Sequence, residues 1–149
     1  MKVVFCNPPS PETCKISRGL MGGFGMAVGE GLVYPPLNVA YCAAVLLRKG
    51  HGAEVIDASA LGLDEAQSIQ RMADSLPDLI VVNTSSATIA LDMRVGSAAG
   101  SAAGVPVVAL GSQVTHAPDY ILSQSRVDYV VRGEPEYTLL DLVTALEQG

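Results

Sequence analysis

The sequence predicts an α/β protein in which five parallel strands are covered by helices on both faces. Three observations carry this reading. Five short apolar runs recur along the chain, each passes into a turn rich in Gly, Ser, Asn or Pro, and each turn leads toward a stretch with helical spacing of apolar residues. Near-continuous apolar strands mark a parallel sheet buried on both faces, whereas a half-exposed sheet would alternate apolar and polar residues.

Lys2 to Cys6 reads as the first strand, and Asn7-Pro8-Pro9 ends it because proline has no backbone donor for the ladder. Residues 10–34 hold Pro11 and six glycines, including Gly19, Gly22, Gly23 and Gly25, which predicts an irregular segment. Its length marks it as functional or mobile. Pro35-Pro36 then opens a helix, since a first turn has no donors to lose, and Leu37, Ala40, Tyr41, Ala44, Val45 and Leu47 supply its apolar face up to Gly50. Ala53 to Asp57 is the second strand. Asp64 caps a helix ending near Leu76, and Pro77-Asp78 leads into a third strand over Leu79 to Val82. Ile89 to Ala103 forms a helix weakened by Gly96 and Gly100, whose small surface permits close packing on the sheet. Val105 to Leu110 is the fourth strand, Ala117 to Ser125 a short helix, Val127 to Val131 the fifth strand and Pro135 to Glu147 the last helix.

Composition narrows the function. The 149 residues fit one domain, 1–149, and with 49% apolar and 16% charged residues the chain should fold as a globule. The formal charge is −6 and the nine Lys and Arg are scattered, which argues against a nucleic-acid partner. Cys6, Cys14 and Cys42 have neither disulfide-framework nor cluster spacing, the N-terminus enters a strand at once, and no apolar run is long enough for a membrane span. A soluble, untargeted protein of the reduced cytoplasm is expected, with no membrane partner.

The candidate site lies where the strands end, because ligands of open α/β sheets bind beyond the carboxyl ends of the strands. Small and hydroxylic residues gather there: Asn83-Thr84-Ser85-Ser86, Gly111-Ser112-Gln113 and Arg132-Gly133-Glu134. Three hydroxyls and an amide at Asn83 to Ser86 exceed what a helix cap requires. Glu134 and Glu136 suit either an acid–base pair or the positive start of the last helix, and the latter is preferred. Other sites fail on spacing. Gly22-Gly23-Phe24-Gly25 is followed by Met26 and Ala27 rather than Lys-Ser/Thr, and no strand immediately precedes it as a dinucleotide fingerprint requires. A phospho-receiver would need paired acids where Cys6-Asn7 stand and a lysine where Arg132-Gly133 stand. His51 and His116 lack a metal-ligand pattern, so no metal-ligating or catalytic residue is assigned.

With these blocks in order, the chain resembles the N-terminal cobalamin (B12)-binding domain of B12-dependent radical S-adenosylmethionine enzymes. The matching pieces are Asn7-Pro8-Pro9, Pro35-Pro36-Leu37-Asn38-Val39-Ala40-Tyr41, Val55-Ile56-Asp57-Ala58, Asp78 to Ser86, Val107 to Thr115 and Val130 to Leu140. The resemblance runs essentially end to end. It implies a Rossmann-like (flavodoxin-like) three-layer sandwich whose carboxyl rim holds the corrinoid and its nucleotide tail. It further implies that Asn83, Thr84, Ser85 and Ser86 contact the tail or corrin amides, that Gly111 and Ser112 let the tail pass close to the backbone, that Gln113, Val114 and Thr115 extend that wall, and that Gly133, Glu134 and Pro135 flank the nucleotide.

Three departures qualify the resemblance. The family commonly has Gly-Gly-Pro-His after its fourth strand, where this chain has Leu110-Gly111-Ser112-Gln113. The Asp-x-His-x-x-Gly motif that supplies a lower cobalt ligand in corrinoid carriers is missing, so no histidine ligand from that motif is expected. The Cys-x-x-x-Cys-x-x-Cys that would hold a 4Fe-4S cluster is also missing, and this chain alone is not expected to cleave S-adenosylmethionine. It reads as an excised portion of a longer enzyme or as a free-standing binding domain, and the stop after Gly149 suits excision better. A C-terminal radical S-adenosylmethionine domain is the expected partner in the full-length protein, with the cobalamin serving methyl transfer or related radical chemistry. A flavodoxin-like binder of a nucleotide or phosphorylated ligand, with Arg132 as the strand-end cation, and a ligand-free interaction domain are the alternatives.

Overall fold

The computed structural model describes every residue except Glu30, which lies within the 10–34 segment. In chain order the elements are β1 (Lys2–Asn7), a small hairpin of β2 (Ile16–Ser17) and β3 (Met26–Ala27), α1 (Leu37–Arg48), β4 (Gly52–Asp57), α2 (Ala58–Leu61) and α3 (Glu65–Asp74). They continue as β5 (Leu79–Thr84), α4 (Ile89–Ala103), β6 (Val107–Gly111), α5 (Ser112–His116), α6 (Pro118–Gln124), β7 (Tyr129–Val131) and α7 (Pro135–Gln148).

The five main strands form one parallel sheet in the order β4-β1-β5-β6-β7. From β1 the chain first moves outward to β4 and then returns to the other side at β5, so the order reverses between β1 and β5. Because strand side chains alternate between faces, two cores result. Val3, Phe5, Val81, Leu110 and Val131 pack with Val39, Cys42 and Leu46 of α1 and Leu139 and Val143 of α7. Val4, Cys6, Val82 and Ala109 pack on the other face with Met72 of α3, Met93, Val95 and Ala99 of α4, Val114 and Ile121. This is the three-layer α/β sandwich that the sequence predicts.

Boundaries differ from the sequence reading where neighbours decide them. β1, β5 and β6 continue through Asn7, Thr84 and Gly111, because Asn7 registers with Asp57 and Asn83 and Thr84 register with Leu110 and Gly111. β6 starts at Val107 rather than Val105: the Val105 N–H is used at the end of α4 by Gly100, and Pro106 has no donor. β7 starts at Tyr129 because the Asp128 carboxylate accepts from the Val107 N–H at 2.8 Å. The expected helix over 117–125 is α6, and residues 112–116 beyond the fourth strand form a further short helix, α5; Pro118 disfavours helical geometry at Ala117 (φ −131°, ψ 54°) and so keeps the two apart. The 10–34 segment is ordered enough to carry the β2–β3 hairpin and a short 3₁₀ turn at Met21–Gly23. At α3 the expected Asp64 cap is a full capping box, with Gln67 N–H donating to Asp64 at 2.7 Å and Gln67 accepting from Asp64 N–H at 3.0 Å.

Helix α4 approaches the sheet through its glycines. A Cβ on Gly96 would lie 2.7 Å from Cγ2 of Val82, and one on Gly100 would collide with Cγ2 of Val107. Gly96→Ala and Gly100→Ala are therefore each expected to lower unfolding free energy by about 1–3 kcal/mol through overpacking. That loss outweighs the ~1 kcal/mol of helix propensity gained. Urea denaturation followed by circular dichroism checks the sign.

Candidate functional site

A cleft of about 550 Å³ opens at the carboxyl end of the sheet. Its floor is made by Thr84, Leu110 and Gly111 at the ends of β5 and β6. Tyr34, Pro35, Leu37 and Asn38 line it from the start of α1, and Gly133, Glu134 and Pro135 from the turn into α7. Ser112, Thr115 and His116 of α5 and the Ser17 to Leu20 and Gly22–Gly23 stretches complete the lining. The α1 and α7 starts carry Pro36 and Glu134 at the cap positions, and neither receives a side-chain cap, so first-turn backbone groups remain for other partners. Glu134 and Glu136 both stand at the positive end of α7.

Arg18 fixes the glycine-rich segment above this rim. Its guanidinium is fully buried and pairs with the fully buried Asp92 of α4, with Nη2 and Nε 2.6 and 3.1 Å from Oδ1. Its remaining donors reach the Pro8 and Pro9 carbonyls at 2.7 and 2.8 Å. Asp92 Oδ2 accepts from Thr88 Oγ1 at 2.6 Å and from Ser85 N–H at 3.2 Å. Burial raises the Asp92 carboxyl above the usual range, against the pull of the Arg18 charge and of the hydrogen bonds from Arg18, Thr88 and Ser85. Around this pair the segment lies close on the strand ends. Ser112 Oγ donates to the Gly23 carbonyl at 2.6 Å, Ala87 N–H donates to the Phe24 carbonyl at 3.0 Å, and a Cβ on Gly25 would lie 2.6 Å from Ser85 Oγ. Gly25 has φ +87°, which also favours glycine there.

A second polar group closes the α1 side of the sheet. Asn38 Nδ2 donates to Asn83 Oδ1 at 2.8 Å, Asn83 Nδ2 to Asn7 Oδ1 at 3.0 Å, and Asn7 Nδ2 to Asp57 Oδ1 at 2.8 Å. Thr115 stitches α5 to the last turn, its Oγ1 donating to Gly111 O at 3.0 Å and accepting from Gly133 N–H at 3.1 Å. Arg132 Nε donates to Thr115 O at 3.2 Å and does not line the cleft. His116 is exposed at the cleft edge with Nδ1 2.8 Å from Ser112 O; a carbonyl can only accept, so Nδ1 carries the proton in the neutral ring. His51 contacts Glu147 at 3.8 Å, away from the rim.

Of the residues singled out in the sequence, Thr84, Gly111, Ser112, Thr115, Gly133, Glu134 and Pro135 come together around the cleft. Asn83, Ser85, Ser86, Gln113 and Val114 are not part of that lining. Asn83 is buried in the amide chain, Ser85 bonds Thr88 at 2.8 Å, Ser86 donates to Gln113 at 3.1 Å, and Val114 sits in the core. Sequence reasoning missed Arg18, Asp92 and Asn38. A signal for the ion pair was present: Asp92 falls on the same helical face as Gly96 and Ala99, and a carboxylate on a buried face needs a partner. Among the described residues no group of three His, Cys, Asp or Glu is placed to hold a metal, and no helix is long and apolar enough to cross a membrane.

The thiols are not part of this site. Burial pushes Cys6 and Cys42 up to about 12, while Cys14 is exposed. An aromatic disulfide reagent at pH 8 should therefore titrate one thiol, Cys14, in the native protein and three after unfolding. For the ion pair, Arg18→Met should lower unfolding free energy by about 3–5 kcal/mol by stranding Asp92, and Arg18→Met/Asp92→Leu should recover most of the loss. Urea denaturation of the three proteins measures both values.

Comparison with known proteins agrees with this architecture. The receiver domain of a sensor histidine kinase from Pseudomonas aeruginosa matches 95% of this chain and 93% of its own with a TM-score of 0.53 and 11% identity, which shows a shared fold. An anaerobic magnesium-protoporphyrin IX monomethyl ester cyclase of Synechocystis is 25% identical across 99% of this chain, and an uncharacterised methyltransferase of Pyrococcus horikoshii is 28% identical across all of it. The chain spans 28% and 30% of the length of these two curated relatives. Residues 27–143, from β3 through most of α7 and so including both helix starts that flank the cleft, match the B12 binding domain family, and the chain belongs to that family.

Proposed function

We propose that the domain holds cobalamin at its carboxyl rim, with the nucleotide tail in the cleft, and presents the corrin to an adjoining radical S-adenosylmethionine domain with a 4Fe-4S cluster. The observation that carries the reading is the cleft itself. It has a family-matched floor and flanks, two helix starts without side-chain caps, and a neutral polar lining of Thr84, Ser112, Thr115 and Asn38. Thr84, Gly111, Ser112, Thr115, Gly133, Glu134 and Pro135 would hold the tail, with Asn83, Ser85, Ser86, Gln113 and Val114 supporting that wall from behind.

The residues present suit such a ligand. Around Gly133 nothing lies within 4 Å of an added Cβ, so the turn leaves open space beside the cleft. Among the described cleft residues Arg18 is the one guanidinium, and its donors are already committed to Asp92, Pro8 and Pro9. With Glu134 also on the rim, the cleft lacks the free cation that a nucleoside polyphosphate would call for, whereas an amide-bearing ligand is matched by neutral donors and acceptors. Met21, Phe24, Leu32, Val33 and Tyr34 are exposed on the segment beside the cleft, an apolar surface suited to cover by the corrin or by the adjoining domain.

Bound cobalamin supplies a cobalt centre for methyl transfer or related radical chemistry next door. The names of the two relatives, a cyclase and a methyltransferase, and the small fraction of their length that this chain matches support placing the domain in a larger enzyme of that kind. In this reading the chain's own residues bind and orient the cofactor and perform no bond-breaking step.

Titration with hydroxocobalamin should give a saturable change in the visible spectrum, and a flat response at high-micromolar cofactor overturns the reading. Gly133→Leu should weaken uptake roughly tenfold or more by filling the cleft edge. Its left-handed backbone (φ +70°) adds a fold penalty of about 1–2 kcal/mol, which urea denaturation separates from lost binding.

A further inference from the structure

The amide chain across the top of the sheet has a direction, and that direction ends in the cleft. Alternation of side chains places Asp57 of β4, Asn7 of β1 and Asn83 of β5 in the last row of the face that α1 covers, immediately beyond Phe5 and Val81 of the core. Asn38, in the first turn of α1, joins the end of the row.

We propose that Asp57 polarises this row so that Asn38 presents its carbonyl oxygen to the cleft, selecting a ligand carboxamide over a carboxylate at that position. A carboxylate offers only lone pairs, so Asn7 must turn its amino group toward Asp57, at 2.8 Å. That leaves the Asn7 carbonyl facing β5, where it needs a donor and receives Asn83 Nδ2 at 3.0 Å. Asn83 then offers its own carbonyl to Asn38 Nδ2 at 2.8 Å. Turning over one member alone would set carbonyl against carbonyl or amino against amino, and with Asn7 and Asn83 buried no solvent relieves the conflict.

Asn38 is the open end of the row. It lines the cleft and is partly exposed. Among the described residues nothing donates to its Oδ1, and no buried side-chain oxygen is left without a partner, so this oxygen faces accessible space. It is fitted to accept an N–H from a primary carboxamide, while a carboxylate there would set acceptor against acceptor, with the Glu134 charge on the same rim adding to the penalty. The preference rests on the cobalamin reading above for the identity of the ligand, whose corrin edge carries carboxamides. The polarity of the row does not.

Two measurements test it. In the isotope-labelled protein without cofactor, nuclear magnetic resonance should detect couplings through the hydrogen bonds from Asn7 Nδ2 to Asp57 Cγ, from Asn83 Nδ2 to Asn7 Cγ and from Asn38 Nδ2 to Asn83 Cγ. Couplings in the reverse sense, or none, overturn the polarity whether or not cobalamin binds. Affinities for hydroxocobalamin and each of its monocarboxylate derivatives should then show at least one isomer bound roughly tenfold or more weakly by the native protein. Asn38→Ala should abolish that ratio, and so should Asp57→Asn, which lies outside the cleft lining but releases the row to turn over. An unchanged ratio in both variants, or no discrimination by the native protein, overturns the selectivity. Failure of hydroxocobalamin itself to bind overturns the selectivity together with the functional reading and leaves the resonance measurement to decide the polarity.

Discussion

The Arg18–Asp92 ion pair joins three parts of the chain that no secondary-structure element connects: the glycine-rich segment, the proline turn after β1 and the first turn of α4. Taking two charges out of water costs several kcal/mol per ion unless every donor and acceptor is met. Here Arg18 donates to Asp92 and two carbonyls, and Asp92 also accepts from Thr88 and Ser85. The energetic penalty for displacing the segment is what makes it part of the rim. Ser17 to Leu20 and Gly22–Gly23 then become walls of the cleft instead of a free connection, and the glycines let that backbone lie against Ser85 and Ser112.

The same rule of satisfied burial shapes the floor. On the face covered by α1 and α7, the strand rows are apolar until their last members, Asp57, Asn7 and Asn83, which form hydrogen bonds with one another. On the other face Ser85 and Thr88 are absorbed by Asp92. Polar residues at strand ends thus divide into those that finish the fold and those that face the cleft. Thr84 belongs to both, bonding the Leu110 carbonyl at 2.8 Å while lining the floor.

Among the described residues the cleft that results is short of free positive charge. The one guanidinium among its described residues is consumed internally, Arg132 is turned to the Thr115 carbonyl, and Glu134 and Glu136 stand at the start of α7. Beside the Glu134 carboxylate and the His116 ring, what remains is mostly backbone, hydroxyl and amide, a surface that recognises a ligand by shape and by many weak hydrogen bonds. Membership of the B12 binding domain family is consistent with that character.

Sequence alone determined the architecture, because five apolar runs alternating with helical spacing leave a parallel sheet covered on both faces as the consistent solution. It also located the rim turns at Gly111-Ser112 and Gly133-Glu134-Pro135, since ligands of such sheets gather at strand ends and glycine and proline mark those ends locally. Only the tertiary structure decided that Arg18 meets Asp92, 74 residues away, and that Asn38 ends a row begun at Asp57. Periodicity and turn chemistry act over a few residues, whereas pairing of buried polar groups is set by which elements the whole fold brings within 3 Å or so of one another.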